Sequence, residues 1–251
     1  MACNHENPLL HKLCRGLCVK LETYRRGADQ SLFEWYYALY GQEDAQGLAS
    51  ESRLRYPAQC DPDCNPLVLC VSHNKRLRVN EIPNRRLAPA GALLCPWEVE
   101  EDDEHPGTTM RPQTMRIWPG MELIGCPRGS GKQHVVQGLI YTVTRITESH
   151  LILQMRPEYC HGADDEQASV PLEDVCEQLR LCHAMCYYTV QGRTVRDRHI
   201  VLLDIENRNF RVRALIVGLS RATHGSFLHV GDDNSEATFA GGRRVVQQRR
   251  R

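Results

Sequence analysis

The stretch GCPRGSGKQ, residues 125–133, is the first place where residue types and spacing point to chemistry. Glycines followed by Gly-Lys are typical of loops whose backbone N–H groups surround nucleotide phosphates. A Walker-type loop needs a glycine, four residues, Gly-Lys and then Ser or Thr, whose hydroxyl holds Mg²⁺. Here Gly125 lies one residue too early, and Gln133 replaces the hydroxyl. Because a β-branched run follows where a helix should start, we predict a glycine-rich loop between two strands and not a P-loop.

The cysteines are the second group that could do chemistry. The chain has 12 of them, and the pairs Cys14/Cys18 and Cys60/Cys64 each have a spacing that structural zinc sites tolerate. No tight glycine-containing knuckle surrounds either pair, and the other cysteines lie in apolar segments where thiols behave as small buried hydrophobes. We therefore predict no metal site, with zinc on these pairs as the alternative. Without a secretion signal, disulfides are not expected.

The elements that would position a site are predicted from hydrophobic spacing. Residues 28–41 carry apolar side chains at helical intervals, with Asp29 or Ser31 as the cap. Leu67–Val71 is an apolar run typical of a buried strand, and a turn and a short helix follow it. A polar, proline-containing linker is predicted for roughly 82–112.

From Met115 onward, short alternating runs separated by turn residues predict a small antiparallel barrel. Beyond it, residues 181–190 suit a helix or a strand that joins a helix. HIVLLDI and SFLHV are predicted strands, and RALIVGLSRAT is predicted as a strand that feeds a helix. The fold class is thus α/β, with a parallel sheet covered by helices on both faces and interrupted by the barrel. The predicted domains are 1–112, a barrel insertion at 113–178, the second part of the parallel-sheet domain at 179–232 and a basic tail at 233–251.

Three segments together carry a family resemblance. They are LETYRRGADQSLF (21–33), QGRT (191–194) within HAMCYYTVQGRTVRD, and GLSRATHG (218–225). In this order, with a small barrel before the last two, they resemble the second half of superfamily 1 helicases. The closest branch moves 5′ to 3′ and includes many viral and mobile-element enzymes. The resemblance covers most of residues 15–232 and implies a RecA-like domain with an SH3-like barrel insertion.

The resemblance assigns residues to a nucleotide site between two RecA-like domains. Arg221 matches the arginine finger that stabilises charge on the γ-phosphate, and Arg26 matches a second γ-phosphate arginine. Gln191 and Gly192 match the Gln-Gly pair that links the ATP cleft to the bound strand, where glycine permits close backbone approach. Each arginine could instead be a solvated or helix-capping cation. ATP and Mg²⁺ are the implied cofactors.

The resemblance also implies contacts with single-stranded DNA. Ser72, His73 and Asn80 fall where the family contacts the phosphate backbone, although turn capping explains Ser72 and Asn80 equally well. The family's Lys-Ser before Gln-Gly is absent here, which puts one phosphate contact in doubt. The other residues expected on the strand are Tyr188 by base stacking, Thr189, Thr194, and the loop cations Arg128 and Lys132. Tyr187 is assigned to core packing.

The true P-loop lysine and the acidic pair that holds Mg²⁺ are not found in the sequence. We therefore expect the C-terminal portion of an ATP-dependent DNA helicase that works with a P-loop-bearing first helicase domain, in cis or in trans. The alternative is a non-hydrolysing module or degenerate remnant that holds single strands. A self-sufficient enzyme using Lys132 is rejected because the motif fails. The formal net charge is zero, and no apolar run could span a bilayer. We expect an intracellular location, in the nucleus or cytoplasm of a host.

Overall fold

In a computed structural model of the chain, the residues that can be described are 27, 29–58, 65–97, 112–127, 132–156, 167–196 and 198–231. Several predicted features lie outside them. These are Arg26, Arg128, the four cysteines Cys14, Cys18, Cys60 and Cys64, and the tail at 233–251.

The described residues form five α-helices and eleven strands. The helices are α1 Gln30–Ala38, α2 Ala45–Arg55, α3 His73–Leu87, α4 Val175–Gln178 and α5 Val212–Leu219. The strands are β1 Leu67–Cys70, β2 Leu93–Cys95, β3 Met115–Ile117, β4 Glu122–Gly125, β5 Ile140–Ile146, β6 His150–Met155, β7 Gln167–Pro171, β8 Leu179–Leu181, β9 Ala184–Cys186, β10 Ile200–Leu202 and β11 Leu228–Val230.

Four parallel strands in the order β11-β10-β1-β9 form the main sheet. Val68 of β1 lies opposite Val201 of β10 on one side and Ala184 of β9 on the other. All four strands are buried, as expected for a parallel sheet with helices on both faces. One face packs with α1, α2 and α5. The other face, which includes Val68 and Val201, packs with Val79 of α3.

Helix α1 forms where the sequence predicts a helix. The Asp29 carboxylate accepts a hydrogen bond from the Leu32 N–H at 3.0 Å and caps its first turn. Leu32 and Tyr36 face the core. Tyr40, near the end of the predicted helix at 28–41, is instead 57% exposed, because the helix ends at Ala38.

Three predicted elements are wrong. Residues 181–190 form the end of β8, then β9 and a turn, and no helix. The run in 213–223 does not begin as a strand, because Val212–Leu219 is helix α5 with Val212, Leu215 and Leu219 buried at helical spacing. A short, nearly continuous apolar run does not distinguish a strand from a buried helix. Arg221 therefore follows a helix and does not lead into one. Helix α3 is also long, at 15 residues, and runs past Pro83 to Leu87, so the residues at 82–87 are not a linker.

The inserted unit is an antiparallel sheet in the order β7-β6-β5-β4-β8. Its core includes Leu123, Val143, Leu153 and Leu181, and the β2–β3 pair contributes Cys95, Met115 and Ile117 to the same cluster. The predicted fold class is confirmed, since a parallel α/β sheet is interrupted by an antiparallel unit. Strands β2 and β8 join this unit from outside 113–178, and the domain limits themselves stay a prediction.

Strand β8 belongs to the antiparallel sheet and leads after two residues into β9 of the parallel sheet. The inserted unit is therefore joined to the main sheet by a very short connection. Within the described part of the chain, no helix has the length and apolar character needed to cross a membrane.

Candidate nucleotide and nucleic-acid site

The carboxyl ends of β10, β1 and β9 lie side by side in the parallel sheet. Ligand sites of such sheets are found beyond this edge. The segments that follow these three strands start at Leu203, Val71 and Tyr187, and they contain most of the residues that the sequence predicted for a site.

After β9 the chain turns through the Gln-Gly pair. The Thr189 N–H donates to the Cys186 carbonyl at 2.9 Å, and the Gln191 N–H donates to the Tyr188 carbonyl at 3.3 Å. Gln191 and Gly192 are exposed at the end of this turn. Gly192 has a φ of 85°, in the left-handed region that glycine adopts without strain. A Cβ at this position would meet no atom within 4 Å. In this structure glycine is therefore required by the backbone angle and not by a close neighbour.

Arg221 lies directly beside this turn. Its Nη1 donates to the Arg193 carbonyl at 2.6 Å, and its Nε donates to the Val217 carbonyl at 3.1 Å. Nη2 lies 2.9 Å from the Ser220 hydroxyl, and the residue is only 6% exposed. In return, the Arg221 carbonyl accepts from the Val195 N–H at 3.0 Å. Two of the three segments that carry the resemblance, 191–194 and 218–225, are therefore in direct contact.

Arg193 was not singled out from the sequence, yet it joins the two sheets. Its Nε donates to the Thr189 carbonyl at 3.2 Å, and its Nη2 donates to the Gly138 carbonyl in the loop between β4 and β5. The same residue accepts from Arg221 through its carbonyl. No sequence signal could have found this role, because it depends on where the antiparallel unit sits.

The start of α3 is occupied by a carboxylate. Asp204, at the end of β10, accepts hydrogen bonds at its Oδ2 from the Val71 N–H at 3.0 Å and the Ser72 N–H at 2.8 Å. Ser72 itself caps the helix, since its Oγ accepts from the Lys75 N–H at 3.2 Å. Asp204 has a φ of 63°, unusual for a residue other than glycine. A phosphate approaching Ser72 would meet this acid.

His73 and Tyr188 lie next to each other at the same edge, and His73 is partly buried. The Tyr188 hydroxyl lies 2.6 Å from His73 Nε2, and His73 Nδ1 lies 3.6 Å from the Cys186 thiol. Tyr188 is 48% exposed, and burial of the remainder raises the pKa of its phenol, which stays neutral. Tyr187 is buried in the core, as predicted, and donates to the Leu203 carbonyl at 2.9 Å.

The remaining predicted residues are spread more widely. Asn80 is fully buried, with its Oδ1 accepting from the Ala184 N–H at 2.7 Å and its Nδ2 donating to the Ala184 carbonyl at 3.1 Å. This amide joins α3 to β9, so it presents no surface to a nucleic acid in this arrangement. Thr194 is partly exposed beside Val195.

Lys132 is exposed on the inserted unit, and its carbonyl accepts from Gln178 Nε2 at 3.1 Å. From Lys132 to Leu139 the chain forms turns and then enters β5. The helix that a Walker-type loop would lead into is therefore not found at this point of the described chain. No group of three or more His, Cys, Asp or Glu side chains within the described ranges is arranged to hold a metal ion.

Comparison with known proteins identifies this architecture. No family model matches the chain, and no curated protein matches it. Among solved structures, the Pif1 helicase from Candida albicans superimposes with a TM-score of 0.55 at 15% identity, covering 89% of this chain and 57% of that one. A Bacteroides Pif1 helicase in complex with ADP-AlF3 and single-stranded DNA superimposes with a TM-score of 0.53 at 13% identity, over 84% of this chain and 51% of that one. The chain has the fold of part of a Pif1 helicase.

This likeness concerns the fold alone, because the identities are low. A further structure, of Bacteroides Pif1 bound to single-stranded DNA, superimposes with a TM-score of 0.52 at 12% identity over 84% of this chain and 51% of that one. The chain spans about half the length of the Pif1 structures that it matches. The Pif1 fold thus agrees with the helicase resemblance at the level of architecture.

Proposed function

We propose that this chain is the C-terminal portion of an ATP-dependent DNA helicase of the 5′-to-3′ branch. In this role it contributes arginines to the γ-phosphate of ATP and holds single-stranded DNA. A P-loop-bearing first domain, in cis or in trans, would bind most of the ATP and its Mg²⁺. One observation carries the proposal: Arg221 and the Gln191–Thr194 turn are in contact, at the strand-end edge of a fold shared with a Pif1 helicase that binds ADP-AlF3 and single-stranded DNA.

The nucleotide side of the proposal rests on Arg221, with Arg26 as its expected companion. The Arg221 guanidinium now donates to acceptors of its own chain, and it would exchange them for phosphate oxygens when the nucleotide-bearing domain closes. A guanidinium aimed at the γ-phosphate stabilises the charge of the transition state. Gln191 and Gly192, exposed beside it, would link the nucleotide to the DNA strand.

The nucleic-acid side uses the exposed surface around the same turn. Tyr188 offers a half-exposed ring on which a base can stack, a contact of about 1–3 kcal/mol. His73, Thr189 and Thr194 would border the strand, with Ser72 at its margin. Lys132, exposed on the inserted unit, would hold a phosphate together with Arg128. Asn80 is left out of this proposal because it is buried. The setting would be the nucleus or cytoplasm of a host.

A second function is favoured by one observation. Arg221 is almost fully buried and bonded to its own chain. A chain that keeps this arrangement would hold single-stranded DNA without promoting hydrolysis, as a binding module or a remnant of a helicase. The two proposals differ in whether ATPase activity appears when a P-loop-bearing partner is added.

The deciding experiment isolates the chain with its native partner and measures DNA-stimulated ATPase activity. We expect no hydrolysis by the chain alone and hydrolysis by the complex. Arg221→Ala should lower the rate on the order of a thousand-fold, because the arginine finger is lost. Arg213→Ala, an exposed change on α5, is the matched control and should leave the rate unchanged.

The outcomes separate the proposals. Single-stranded DNA binding without ATPase activity under any condition would favour the binding module. Hydrolysis by the chain alone that disappears in Lys132→Ala would contradict both. Equal rates for the Arg221→Ala and Arg213→Ala complexes would remove Arg221 from the nucleotide site.

A further inference from the structure

The Asp29 carboxylate joins two distant parts of the chain. Its Oδ2 accepts a hydrogen bond from the Gly225 N–H at 2.8 Å, although the two residues are 196 positions apart in the sequence. Its Oδ1 accepts from the Leu32 N–H and caps helix α1. One side chain therefore connects the start of α1 to the turn that follows Arg221, and the third segment of the helicase resemblance reaches this turn as well.

This carboxylate is ionised at neutral pH. Partial burial by itself would raise the pKa of the Asp29 carboxyl group. Backbone hydrogen bonds, led by those from Leu32 and Gly225, and the nearby His224 together outweigh burial and lower the pKa below its ordinary value. Hydrogen bonds to an ionised acceptor are about twice as strong as those between neutral groups. The bond to Gly225 is therefore a strong link between the two segments.

The backbone before α1 also packs directly against the turn at 223–225. A Cβ on Gly27 would lie 2.1 Å from the Thr223 carbonyl oxygen, so the two backbones approach closely enough that only glycine fits. A Cβ on Gly225 would lie 2.9 Å from Tyr56 Cε1. The turn is thus in close contact with the chain before α1 and with the end of α2.

The backbone of Arg221 is thereby held from two sides. On one side its carbonyl accepts from the Val195 N–H at 3.0 Å, and Ala222 forms a parallel bridge with Val195. On the other side the start of α1 holds the turn at 223–225. Misplacing a catalytic group by about 1 Å can lower a rate by about a hundred-fold. The backbone contacts therefore bear on where the guanidinium can reach.

We propose that Asp29 is a positioning residue for Arg221, because it fixes the turn at 223–225 from which the Arg221 guanidinium is directed to a γ-phosphate. The catalytic consequence rests on the proposed helicase function. The positional consequence, that Asp29 holds the backbone at Arg221, concerns the chain alone and is measured without nucleotide.

Asp29→Asn is the deciding change. Asparagine caps helices as well as aspartate does, so its side-chain oxygen still accepts from the Leu32 N–H. Its other polar atom belongs to an NH₂ group, which donates and cannot accept from the Gly225 N–H. Asp44→Asn is the matched control, because Asp44 is exposed and caps helix α2 through the Gly47 N–H at 2.9 Å.

The first measurement is amide hydrogen exchange in the full chain without a partner. In Asp29→Asn we expect the Gly225 and Val195 N–H groups to exchange roughly ten-fold faster or more, and the Leu32 N–H to keep its rate. Val195 is the informative position, because its acceptor is the Arg221 carbonyl, four residues from the lost bond. Asp44→Asn should leave all three rates at the wild-type value. Unchanged exchange at Gly225, or faster exchange there without a change at Val195, would overturn the proposal.

The second measurement is DNA-stimulated ATPase activity in the complex with the P-loop-bearing partner. Asp29→Asn should lower kcat about ten-fold and change the KM for ATP by less than about two-fold, because a γ-phosphate arginine acts in the transition state. Gly27→Ala displaces the same turn without altering the carboxylate and should have the same effect. A general loss of folding would instead lower the thermal unfolding midpoint, which Asp29→Asn should share with Asp44→Asn.

Two kinetic results would overturn the proposal. One is a kcat equal to that of Asp44→Asn in a complex where Arg221→Ala does lower the rate. The other is a raised KM for ATP with an unchanged kcat. If even the wild-type complex shows no ATPase activity, the proposed function fails, and the exchange rates alone then decide whether Asp29 holds the backbone at Arg221.

Discussion

The buried carboxylate of Asp204 affects what can bind at the start of helix α3. Its carboxylate receives two backbone N–H groups at the start of α3 and also lies 3.9 Å from Lys75 Nζ. An anion at a helix start is favourable for the same reasons that a bound phosphate is. The Asp204 carboxylate therefore occupies the position beside Ser72 that the family resemblance assigned to a phosphate of the DNA backbone. At this edge Tyr188 is about half-exposed and Gln191 and Gly192 are exposed.

The titration of His183 should make the free energy of unfolding depend on pH. This residue lies before β9, with Nδ1 3.1 Å from Asn65 Oδ1, and burial together with the positive charges of Arg198 and Arg86 lowers its pKa to about 4. The unfolded chain, with a histidine pKa near 6.5, binds more protons than the folded chain between pH 4 and 6.5. The contribution of neutral His183 to the free energy of unfolding is therefore complete above pH 6.5 and is lost as the pH falls toward 4.

The expected loss across that window is about 3 kcal/mol, the equivalent of a pKa difference of this size. Urea unfolding of the wild type between pH 4.5 and 7.5 should show it. His183→Gln, which keeps a hydrogen-bonding side chain but cannot titrate, should give a flatter pH dependence. Parallel curves for the two proteins would show that His183 does not titrate as described.

At the scale of elements, the sequence predicted the helices and strands that are determined by local patterns. Helix α1 has a capping Asp29 and a periodic apolar face, and β1, β10 and β11 are apolar runs of strand length. Helix α5 was missed because its eight residues are nearly all apolar and no side chain caps its start. The resemblance assigned Arg221 and the Gln191–Gly192 pair to one nucleotide site, but it did not predict the direct contact of Arg221 with the Gln191–Thr194 turn. Arg193, Asp204 and the His73–Tyr188 pair depend on tertiary placement, so no local pattern marks them.

Gly218 lies where helix α5 packs closely against the parallel sheet. A Cβ at this position would lie 2.7 Å from Leu202 Cδ2 and 3.0 Å from Tyr187 Cε1. Alanine would gain about 1 kcal/mol in helix propensity, but overpacking a core costs about 1–3 kcal/mol. We expect Gly218→Ala to destabilise the protein by about 1 kcal/mol in urea unfolding, and by about 2 kcal/mol at most. Arg213→Ala, on the exposed side of α5, should be close to neutral, and a more stable Gly218→Ala protein would contradict the packing described.

At the scale of the whole molecule, Arg193 connects the antiparallel unit to the turn that contacts Arg221. In Arg193→Met the side-chain hydrogen bonds to the Thr189 and Gly138 carbonyls are lost. The bond from Arg221 to the main-chain carbonyl of residue 193 and most of the side-chain volume are kept. We expect amide hydrogen exchange at Gly138 and Val195 to become at least ten-fold faster, because Gly138 loses its side-chain partner and Val195 follows the turn that Arg193 no longer anchors. Exchange in β6 and β7 should not change.

The control for this change is Arg156→Met, which removes an arginine that pairs with Glu122 at 3.4 Å on the surface of the antiparallel unit. Exchange at Gly138 and Val195 should stay at the wild-type rate in this variant. If both variants accelerate exchange equally, the two sheets are held together by the general packing of the unit and not by Arg193.

The order of strands in the parallel sheet has a consequence for how the chain is made. Both neighbours of β1, namely β9 and β10, come after the entire antiparallel unit in the sequence. During synthesis β1 therefore has no strand partner, and its apolar side chains stay uncovered, until the antiparallel unit and β9 have emerged from the ribosome. Pairings between such distant segments form slowly, whereas the hairpins of the unit close early. Synthesis thus passes through a stage in which the insertion is folded and its host sheet is not, and this half-built chain is the form most in need of a chaperone.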